Sequence, residues 1–489
     1  MMSPKLDILF LKPGNQKMLY GKLTDLDLTA IEPPMWGGLL AAHMRQKGYS
    51  VELLDAEVQE WTHEEAARQI AERKPLLAVL SVSGTNPSAS TMNMAGAGNI
   101  ARFLREISPE IKILFHGLHP SALPERTLRE EVTDFICKGE GFYTLPDLMD
   151  TLKSGKCDFA NVRGLWYRDA DTIMSGPSAP VFTDLDALAM PAWDLLPMRK
   201  YRAHNWHCFK DLSARQPYGV LMTSLGCPYN CTFCCINAIF GKPGIRFRSP
   251  SKVVEDIAFL VENYGIRNIK IMDELFAVNE RRVVEICDLI IERGYDLNMW
   301  AYARVNTVTP LMLEKMRKAG IEWVAYGFEA ANKRVLKGVS KRYETESIGK
   351  VVQETRAAGL YIGANFIFGL PDDDMESMNE TLQMAKDING EWANFYATMA
   401  YPGSALYDEA IAGNWTLPES WQGYSQYSYE TLPLSTKHLT ASEVLHFRDQ
   451  AFNDYFSSPR YQQSILNLFG ASALQSVQEM LKHRLQRKH

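Results

Sequence analysis

The fold and chemistry of the chain are indicated by one stretch, Gly219-Val-Leu-Met-Thr-Ser-Leu-Gly-Cys-Pro-Tyr-Asn-Cys-Thr-Phe-Cys-Cys235. It opens with an apolar run typical of a buried strand, and Cys227, Cys231 and Cys234 follow with the spacing C-x3-C-x2-C. Soft thiolates on one short loop favour iron–sulfur or zinc over cations that prefer oxygen ligands. An iron–sulfur cubane usually takes four cysteines, so three local ones would leave one iron open. The loop therefore predicts a 4Fe-4S cluster that can bind a further ligand.

Structural zinc is the alternative that this spacing leaves open. Zinc sites of that kind usually combine two ligand pairs from separate parts of the chain, and the sequence contains no second C-x2–4-C pair. Cys235 directly follows Cys234, and the side chains of adjacent residues do not easily converge on one metal. We therefore expect Cys235 to be a packed thiol outside the ligand set.

The segment Cys227-x3-Cys231-x-Phe233-Cys234 resembles the signature of the radical S-adenosylmethionine (radical SAM) superfamily. In that superfamily the open iron is chelated by the amino and carboxylate groups of SAM. The resemblance implies that Phe233 lies against the adenine of SAM.

Composition limits the classes of protein to which the chain can belong. Its 489 residues predict two or three domains, and 46% hydrophobic and 22% charged residues are typical of a globular protein. We expect no membrane segment, because no apolar run approaches 18 residues. A net charge of -6 argues against a nucleic-acid partner. The start without a signal-peptide pattern and the lack of a disulfide framework predict a cytoplasmic location.

Residues 1–150 alternate strand and helix patterns and predict an α/β, doubly wound, Rossmann-like domain. Such domains bind ligands at the carboxyl ends of their strands, where glycine permits close approach and hydroxyl groups offer hydrogen bonds. Any one of these loops could merely turn the chain, but together they predict a sizeable ligand. The candidate binding residues are Ser83, Gly84, Thr85, Asn86, Gly117, His119, Pro120, Gly139, Glu140 and Gly141.

Gly117-x-His119-Pro120 followed by Gly139-Glu140-Gly141 resembles the cobalamin-binding domain of cobalamin-dependent (class B) radical SAM methyltransferases. Classical cobalamin domains carry Asp-x-His-x-x-Gly, whereas the segment that begins at Asp55 has no such histidine. The resemblance implies cobalamin without a histidine ligand to cobalt. The loop at 83–86 is the expected neighbour of its lower face, and His119 as a cobalt ligand is the alternative.

Residues 151–215 are predicted as a linker, and residues 216–404 contain six strand–helix units that predict a partial (β/α)6 barrel. Polar residues and a glycine follow the barrel strands: Asp273, Glu274, Arg304, Glu329 and Gly369. Each carboxylate alone could be a helix cap, but together at one barrel mouth they suit the zwitterion SAM. The resemblance implies that Asp273 or Glu274 holds the SAM amino group, Glu329 contacts the ribose and Gly369 lies near adenine. Arg304 is the candidate for the carboxylate.

Residues 405–489 are rich in aromatic side chains and are predicted to be mainly helical. A capping box, Thr440-x-x-Glu443, predicts the start of a helix. The region could form a lid over the barrel mouth or the core of a small helical domain.

The resemblance implies a radical SAM C-methyltransferase with a 4Fe-4S cluster, SAM and cobalamin as cofactors. One SAM would supply the methyl group and another would supply the radical that removes hydrogen from an unactivated carbon. The expected partner is an electron donor of the flavodoxin or ferredoxin type. The substrate would be a protein side chain, such as glutamine in methyl-coenzyme M reductase, or a small metabolite. The alternatives are a rearrangement or cyclisation enzyme and a cobalamin-responsive binding protein.

Overall fold

A computed structural model describes residues 6–14, 19, 28–84, 90–155, 158–341, 343 and 347–489. Two sheets built mainly from parallel strands follow one another along the chain, and a helical region packs against the second. This is the predicted mixed α/β architecture.

The first sheet contains seven strands in the order β2-β1-β3-β4-β5-β6-β7, of which β1 to β5 run parallel. Their bounds are Ile8–Lys12 (β1), Val51–Asp55 (β2), Leu77–Val82 (β3), Lys112–Gly117 (β4), Phe135–Cys137 (β5), Leu165–Asp169 (β6) and Thr172–Ser175 (β7). Strand β3 is buried at every residue, which explains its unbroken apolar sequence. The helices are Met35–Gln46 (α1), His63–Arg73 (α2), Met94–Ile107 (α3), Leu118–Ala122 (α4), Pro124–Glu130 (α5) and Thr144–Lys153 (α6). The doubly wound prediction is confirmed.

Strands β6 and β7 form an antiparallel hairpin inside the segment that the sequence predicts as a linker. Strand β6 pairs with β5, so the first sheet extends beyond residue 150. All four residues of β7 are at least partly exposed on this sheet edge. The hydrophobic alternation that would reveal a half-buried strand is therefore missing from the sequence.

The second sheet has six parallel strands in the order β15-β14-β13-β12-β11-β8, which confirms the partial barrel. Its strands, with the small β9–β10 pair, are Tyr218–Leu221 (β8), Ser224–Leu225 (β9), Arg246–Phe247 (β10), Asn268–Ile271 (β11), Asn298–Ala303 (β12), Ile321–Glu329 (β13), Tyr361–Phe368 (β14) and Trp392–Ala397 (β15). The helices are Asn237–Phe240 (α7), Pro250–Tyr264 (α8), Glu280–Arg293 (α9), Pro310–Lys318 (α10), Lys333–Gly338 (α11), Ser347–Ala357 (α12) and Met375–Ile388 (α13).

The last region closes the free edge of β15. It contains the helices Ala405–Ala412 (α14), Ala441–Phe456 (α15), Pro459–Phe469 (α16) and Ala471–Leu481 (α17). Helix α15 begins with the predicted capping box and packs against β15. The amide of Gln426 pairs with both the N–H and the carbonyl of Ala397, each at 2.9 Å. Ala397, the last residue of β15, therefore has both backbone groups paired without a further strand.

The helices within the described ranges are all too short or too polar to cross a membrane.

Candidate active site

One cavity of about 1510 Å³ lies in the barrel and extends to a few residues of the first unit and to the last region of the chain. Thr29 and Met92 line it from the first unit, and the cysteine loop lines it from the second. The carboxyl ends of parallel strands are the usual place for a ligand site in both kinds of fold. None of the candidate cobalamin residues that the structure describes is among the residues that line this cavity.

The cysteine loop is held in shape by its own backbone. Gly226 has a φ of 91°, and a Cβ there would lie 2.4 Å from the carbonyl oxygen of Gly244, so only glycine fits. The N–H of Gly244 donates to the carbonyl of Cys227 at 3.0 Å, and the N–H of Cys234 donates to that of Cys231 at 3.1 Å. Thr232 bonds to the carbonyl of Val339 at 3.1 Å, which fixes the loop to the barrel.

The thiols of Cys227, Cys231 and Cys234 all line the cavity and are partly exposed. Cys235 instead is buried with Met399 and Tyr401, as expected for a packed thiol. Burial raises the pKa of the Cys227 thiol, and the neighbouring Cys231 raises it further. Burial also raises the pKa of the Cys234 thiol. A cationic partner would favour the thiolate forms of Cys227 and Cys234, so the donor set fits an iron–sulfur cluster.

The neighbouring carboxylates Asp273 and Glu274 point in different directions. Asp273 is fully buried and accepts hydrogen bonds from the backbone N–H and hydroxyl of Thr223 and from the hydroxyl of Ser224. Glu274 lines the cavity and accepts a hydrogen bond from the N–H of Gly226 at 3.1 Å. Burial raises the pKa of Glu274 to about 8. A cationic ligand would stabilise its ionised form, so Glu274 is the better placed of the two to meet an ammonium group.

Arg304 also lines the cavity, beside the cysteine loop. Its guanidinium lies 3.5 Å from the sulfur of Cys231 and 3.8 Å from the ring centre of Tyr229. A cation at this position can attract the carboxylate of a ligand bound next to the cluster.

Glu329, at the end of β13, faces the same cavity and receives a 2.6 Å hydrogen bond from the ammonium of Lys341. Both side chains are largely buried. Gly327 makes room for this pair, because a Cβ there would lie 2.4 Å from the Glu329 carboxylate. Lys341 holds the carboxylate in place while leaving it acceptor capacity for a ligand hydroxyl.

The two remaining residues predicted to bind SAM differ in their surroundings. Phe233 lines the cavity beside the cysteines. Gly369 has a φ of 79°, donates its N–H to Asp373 at 3.0 Å and packs against Val444, to whose side chain a Cβ would come within 2.3 Å. The structure thus gives Gly369 a place in the turn after β14, and its contact with a ligand stays a prediction.

The candidate cobalamin residues gather at the carboxyl edge of the first sheet. Gly117 has a φ of 138°, and a Cβ there would lie 2.1 Å from the carbonyl oxygen of Val82. Gly139 and Gly141 also have positive φ values, of 103° and 90°. Ser83 and Gly84 follow β3 directly, and Pro120 is buried in α4. Thr85 and Asn86 lie outside the described residues.

His119 lies under the last region of the chain. Its Nδ1 is 3.3 Å from the hydroxyl of Thr91, and its ring meets Trp421 edge-on with centroids 4.4 Å apart. Burial lowers the pKa of His119 to about 3, so the ring stays neutral. Its Nε2 and the hydroxyl of Ser81 are buried without a hydrogen-bond partner among the described residues. These two atoms could form hydrogen bonds with a polar ligand at this edge, so the site fits cobalamin.

Glu140 makes a contact between the two units instead of lining the cavity. It bonds to the guanidinium of Arg246, which follows the cysteine loop, at 2.6 and 3.1 Å, and it accepts from the N–H of Phe182 at 2.6 Å. The predicted role of Glu140 in binding cobalamin therefore stays a prediction, whereas its interdomain ion pair is observed.

The sequence interpretation missed Tyr229 and Lys341, which both line the cavity. Tyr229 stands between the first two cysteines, and its place in the loop could have suggested it. Lys341 follows a short helix after β13, where an exposed lysine is the usual expectation.

Comparison with known proteins agrees with this two-part site. The model of the Radical SAM superfamily matches residues 221–385, and that of the B12 binding domain matches residues 22–149. An uncharacterized methyltransferase of Pyrococcus horikoshii is 29% identical over 88% of each chain. The anaerobic magnesium-protoporphyrin IX monomethyl ester cyclase of Cereibacter sphaeroides is 27% identical over 86% of this chain and 66% of its own.

Among solved structures, the radical SAM methyltransferase TsrM from Kitasatospora setae, with cobalamin and a [4Fe-4S] cluster bound, has the same fold. The TM-score is 0.68 at 17% identity, covering 94% of this chain and 90% of TsrM. The first family model implies a 4Fe-4S cluster and SAM, and the second implies cobalamin. The chain therefore carries a B12 binding domain followed by a radical SAM domain, and over most of its length it is similar to an uncharacterized methyltransferase.

Proposed function

We propose that this enzyme transfers a methyl group from SAM to an unactivated carbon of a small metabolite or of a protein side chain. The observation that carries the proposal is the single cavity that both units line, with Met92 on one side and the cysteine loop on the other. When bound, the cluster supplies an electron to SAM and cobalamin carries the methyl group.

The residues of this chain bind and orient those groups. Cys227, Cys231 and Cys234 hold the cluster, and Phe233 lies against the adenine of SAM. Glu274 accepts hydrogen bonds from the ammonium of SAM, and Arg304 donates to its carboxylate. Two oppositely charged groups at fixed positions orient a zwitterion in one way only.

Two further groups complete the proposed arrangement. Glu329, held by Lys341, accepts from the ribose hydroxyls of SAM. The loops after β3, β4 and β5 bind cobalamin, and the positive φ values of Gly117, Gly139 and Gly141 let the backbone approach it. A reductant must supply the electron, and we propose a flavodoxin or ferredoxin.

The direct test uses protein reconstituted with iron, sulfide and cobalamin, then reduced and incubated with methyl-labelled SAM and candidate substrates. We expect 5'-deoxyadenosine to form and the label to appear on the substrate. Cyclisation is the second candidate because a relative is a cyclase. Product that forms without label would favour it, and absence of SAM cleavage would contradict both.

The ligand set is tested by its spectrum. Replacing Cys227, Cys231 and Cys234 by Ala should abolish the visible absorbance of the cluster and leave cobalamin bound, since the two sites belong to different units. The matched control is Cys235→Ser, which should keep its iron content because this thiol packs away from the cavity. Loss of iron from the control would show that the ligand set is wrong.

A further inference from the structure

The part of the cavity inside the barrel is lined by rings, amides and one cation. We call this part the inner chamber. Its inward-facing residues are Lys270, Trp300, Tyr302, Asn365, Asn394 and Tyr396. They come from β11, β12, β14 and β15, so rigid strands fix their positions.

The cation of the inner chamber is neutralised by the first unit of the protein. The ammonium of Lys270 lies 3.2 Å from both carboxylate oxygens of Glu32, and both side chains are almost fully buried. The same ammonium lies 4.9 Å from the ring centre of Trp300. A buried ion pair of this geometry presents little net charge to a ligand.

Two arginines on the cavity wall are also paired with a carboxylate. Arg448 and Arg487 both bond to the carboxylate of Asp449, at 2.7 to 2.9 Å. Arg448 also donates to the carbonyl of Phe395, and Arg487 donates to that of Gln426. Their N–H groups are used to hold the wall together, so an anionic ligand would have to break these bonds.

The polar groups of the inner chamber other than Lys270 carry no charge. Asn394 donates to the side chain of Asn365 at 2.9 Å, and Asn365 donates to the carbonyl of Tyr326 at 3.0 Å. Burial raises the pKa of the Tyr302 and Tyr396 phenols, so both keep their protons. Neutral hydroxyl and amide groups between aromatic rings can position a ring with polar edges.

We propose that the substrate is an uncharged, ring-containing small molecule whose ring lies in the inner chamber. The assignment to a substrate rests on the proposed function, since it places the reacting carbon next to the proposed SAM residues. A charged substrate would lose its hydration and find Lys270, Arg448 and Arg487 already paired, with Arg304 assigned to SAM, which makes its burial unfavourable. A planar ring would gain contact with Trp300 and the two tyrosines.

The test measures binding, so that it does not depend on methyl transfer. The probes are indole, benzoate and benzylamine, which are neutral, anionic and cationic, and binding to the reconstituted protein is followed by saturation-transfer difference NMR. We expect indole to bind at least about tenfold more tightly than either ion. Equal or tighter binding of benzoate, or no binding of indole, would overturn the proposal.

Changing the ion pair should switch this preference. Glu32→Gln leaves the Lys270 ammonium without its carboxylate, so benzoate should bind at least about tenfold more tightly than to the wild type. Lys270→Met should favour benzylamine instead. The matched control is Asp256→Asn, which removes the buried carboxylate 3.4 Å from the guanidinium of Arg248. The control should leave all three affinities unchanged, and unchanged affinities in both chamber variants would contradict the proposal.

SAM cleavage is measured on the same samples. Indole binding without SAM cleavage would overturn the enzymatic proposal and support the inner chamber as a neutral ring site. SAM cleavage without indole binding would support the enzymatic proposal and overturn the inner chamber as a neutral ring site.

Discussion

At the scale of the residue, Asp273 and Glu274 are adjacent carboxylates with different surroundings. They follow β11, which ends at Ile271, and the chain bends at Glu274. Asp273 turns towards Thr223 and Ser224 at the start of the cysteine loop, and Glu274 turns into the cavity. One carboxylate therefore supports the fold, and we assign the other to SAM.

Glu274→Gln should weaken SAM binding with little effect on stability. A hydrogen bond to a charged group contributes about 1.5–3 kcal/mol, so we expect a roughly 10- to 150-fold rise in the Kd for SAM. Equilibrium dialysis with labelled SAM measures this value. Unchanged affinity in this variant would show that another group holds the SAM amino group.

Asp273→Asn should destabilise the protein and leave SAM binding unchanged. Its carboxylate accepts from three buried donors, and an amide cannot accept on both sides, so the free energy of unfolding should fall by about 1–3 kcal/mol. Denaturant unfolding followed by circular dichroism measures the loss. The protein that remains folded should bind SAM normally, and a stable variant with poor SAM affinity would reverse our assignment.

At the scale of the element, the end of β4 depends on Gly117. Its φ of 138° is unfavourable for residues with a side chain, and a Cβ would collide with the backbone of Val82 in β3. The close approach of these two strand ends brings their loops to one edge of the sheet. The glycine therefore shapes the proposed cobalamin site through backbone geometry alone.

Gly117→Ala should lower the free energy of unfolding by more than about 3 kcal/mol, because backbone strain and a clash with a carbonyl add together. Denaturant unfolding and cobalamin retention after gel filtration check this expectation. The control is Gly48→Ala, where φ is 88° but the space around a Cβ is open. That change should cost only about 1–2 kcal/mol and should leave cobalamin bound. Equal effects at the two positions would contradict this explanation.

At the scale of the whole molecule, polar contacts fix the two units against each other. Glu140 after β5 is tied to Arg246 beyond the cysteine loop, and Glu32 is tied to Lys270 inside the barrel. Trp421 of the last region packs on His119 and under Arg126, whose guanidinium lies 4.5 Å from its ring centre. These contacts set the distance across the shared cavity.

Arg246→Ala should destabilise the protein by about 3 kcal/mol, since it leaves the Glu140 carboxylate buried and without its cation. The midpoint of thermal unfolding should fall accordingly. Arg267→Ala is the matched control, because Arg267 and its partner Asp296 are 64% and 86% exposed. Such a surface pair contributes about 1 kcal/mol or less. Similar midpoints for the two variants would show that the contact between the units adds little stability.

The sequence by itself determined the features that depend on residues close together in the chain. The spacing of Cys227, Cys231 and Cys234 indicates a cluster, and the periodicity of six strand–helix units indicates the partial barrel. Glycines such as Gly117 predicted which edge of the sheet binds a ligand. Glycine is the residue type that adopts positive φ most easily, so its presence in a loop is informative without knowledge of the residues packed around it.

Only the tertiary structure decided which distant groups meet. Lys270 and Glu32 are 238 positions apart, and no local pattern pairs them. The different surroundings of Asp273 and Glu274, the partner of Glu329 and the hairpin at β6 and β7 likewise depend on packing. Local spacing specifies which chemistry the chain can perform, whereas the fold sets the charge and shape of the space in which a substrate must fit.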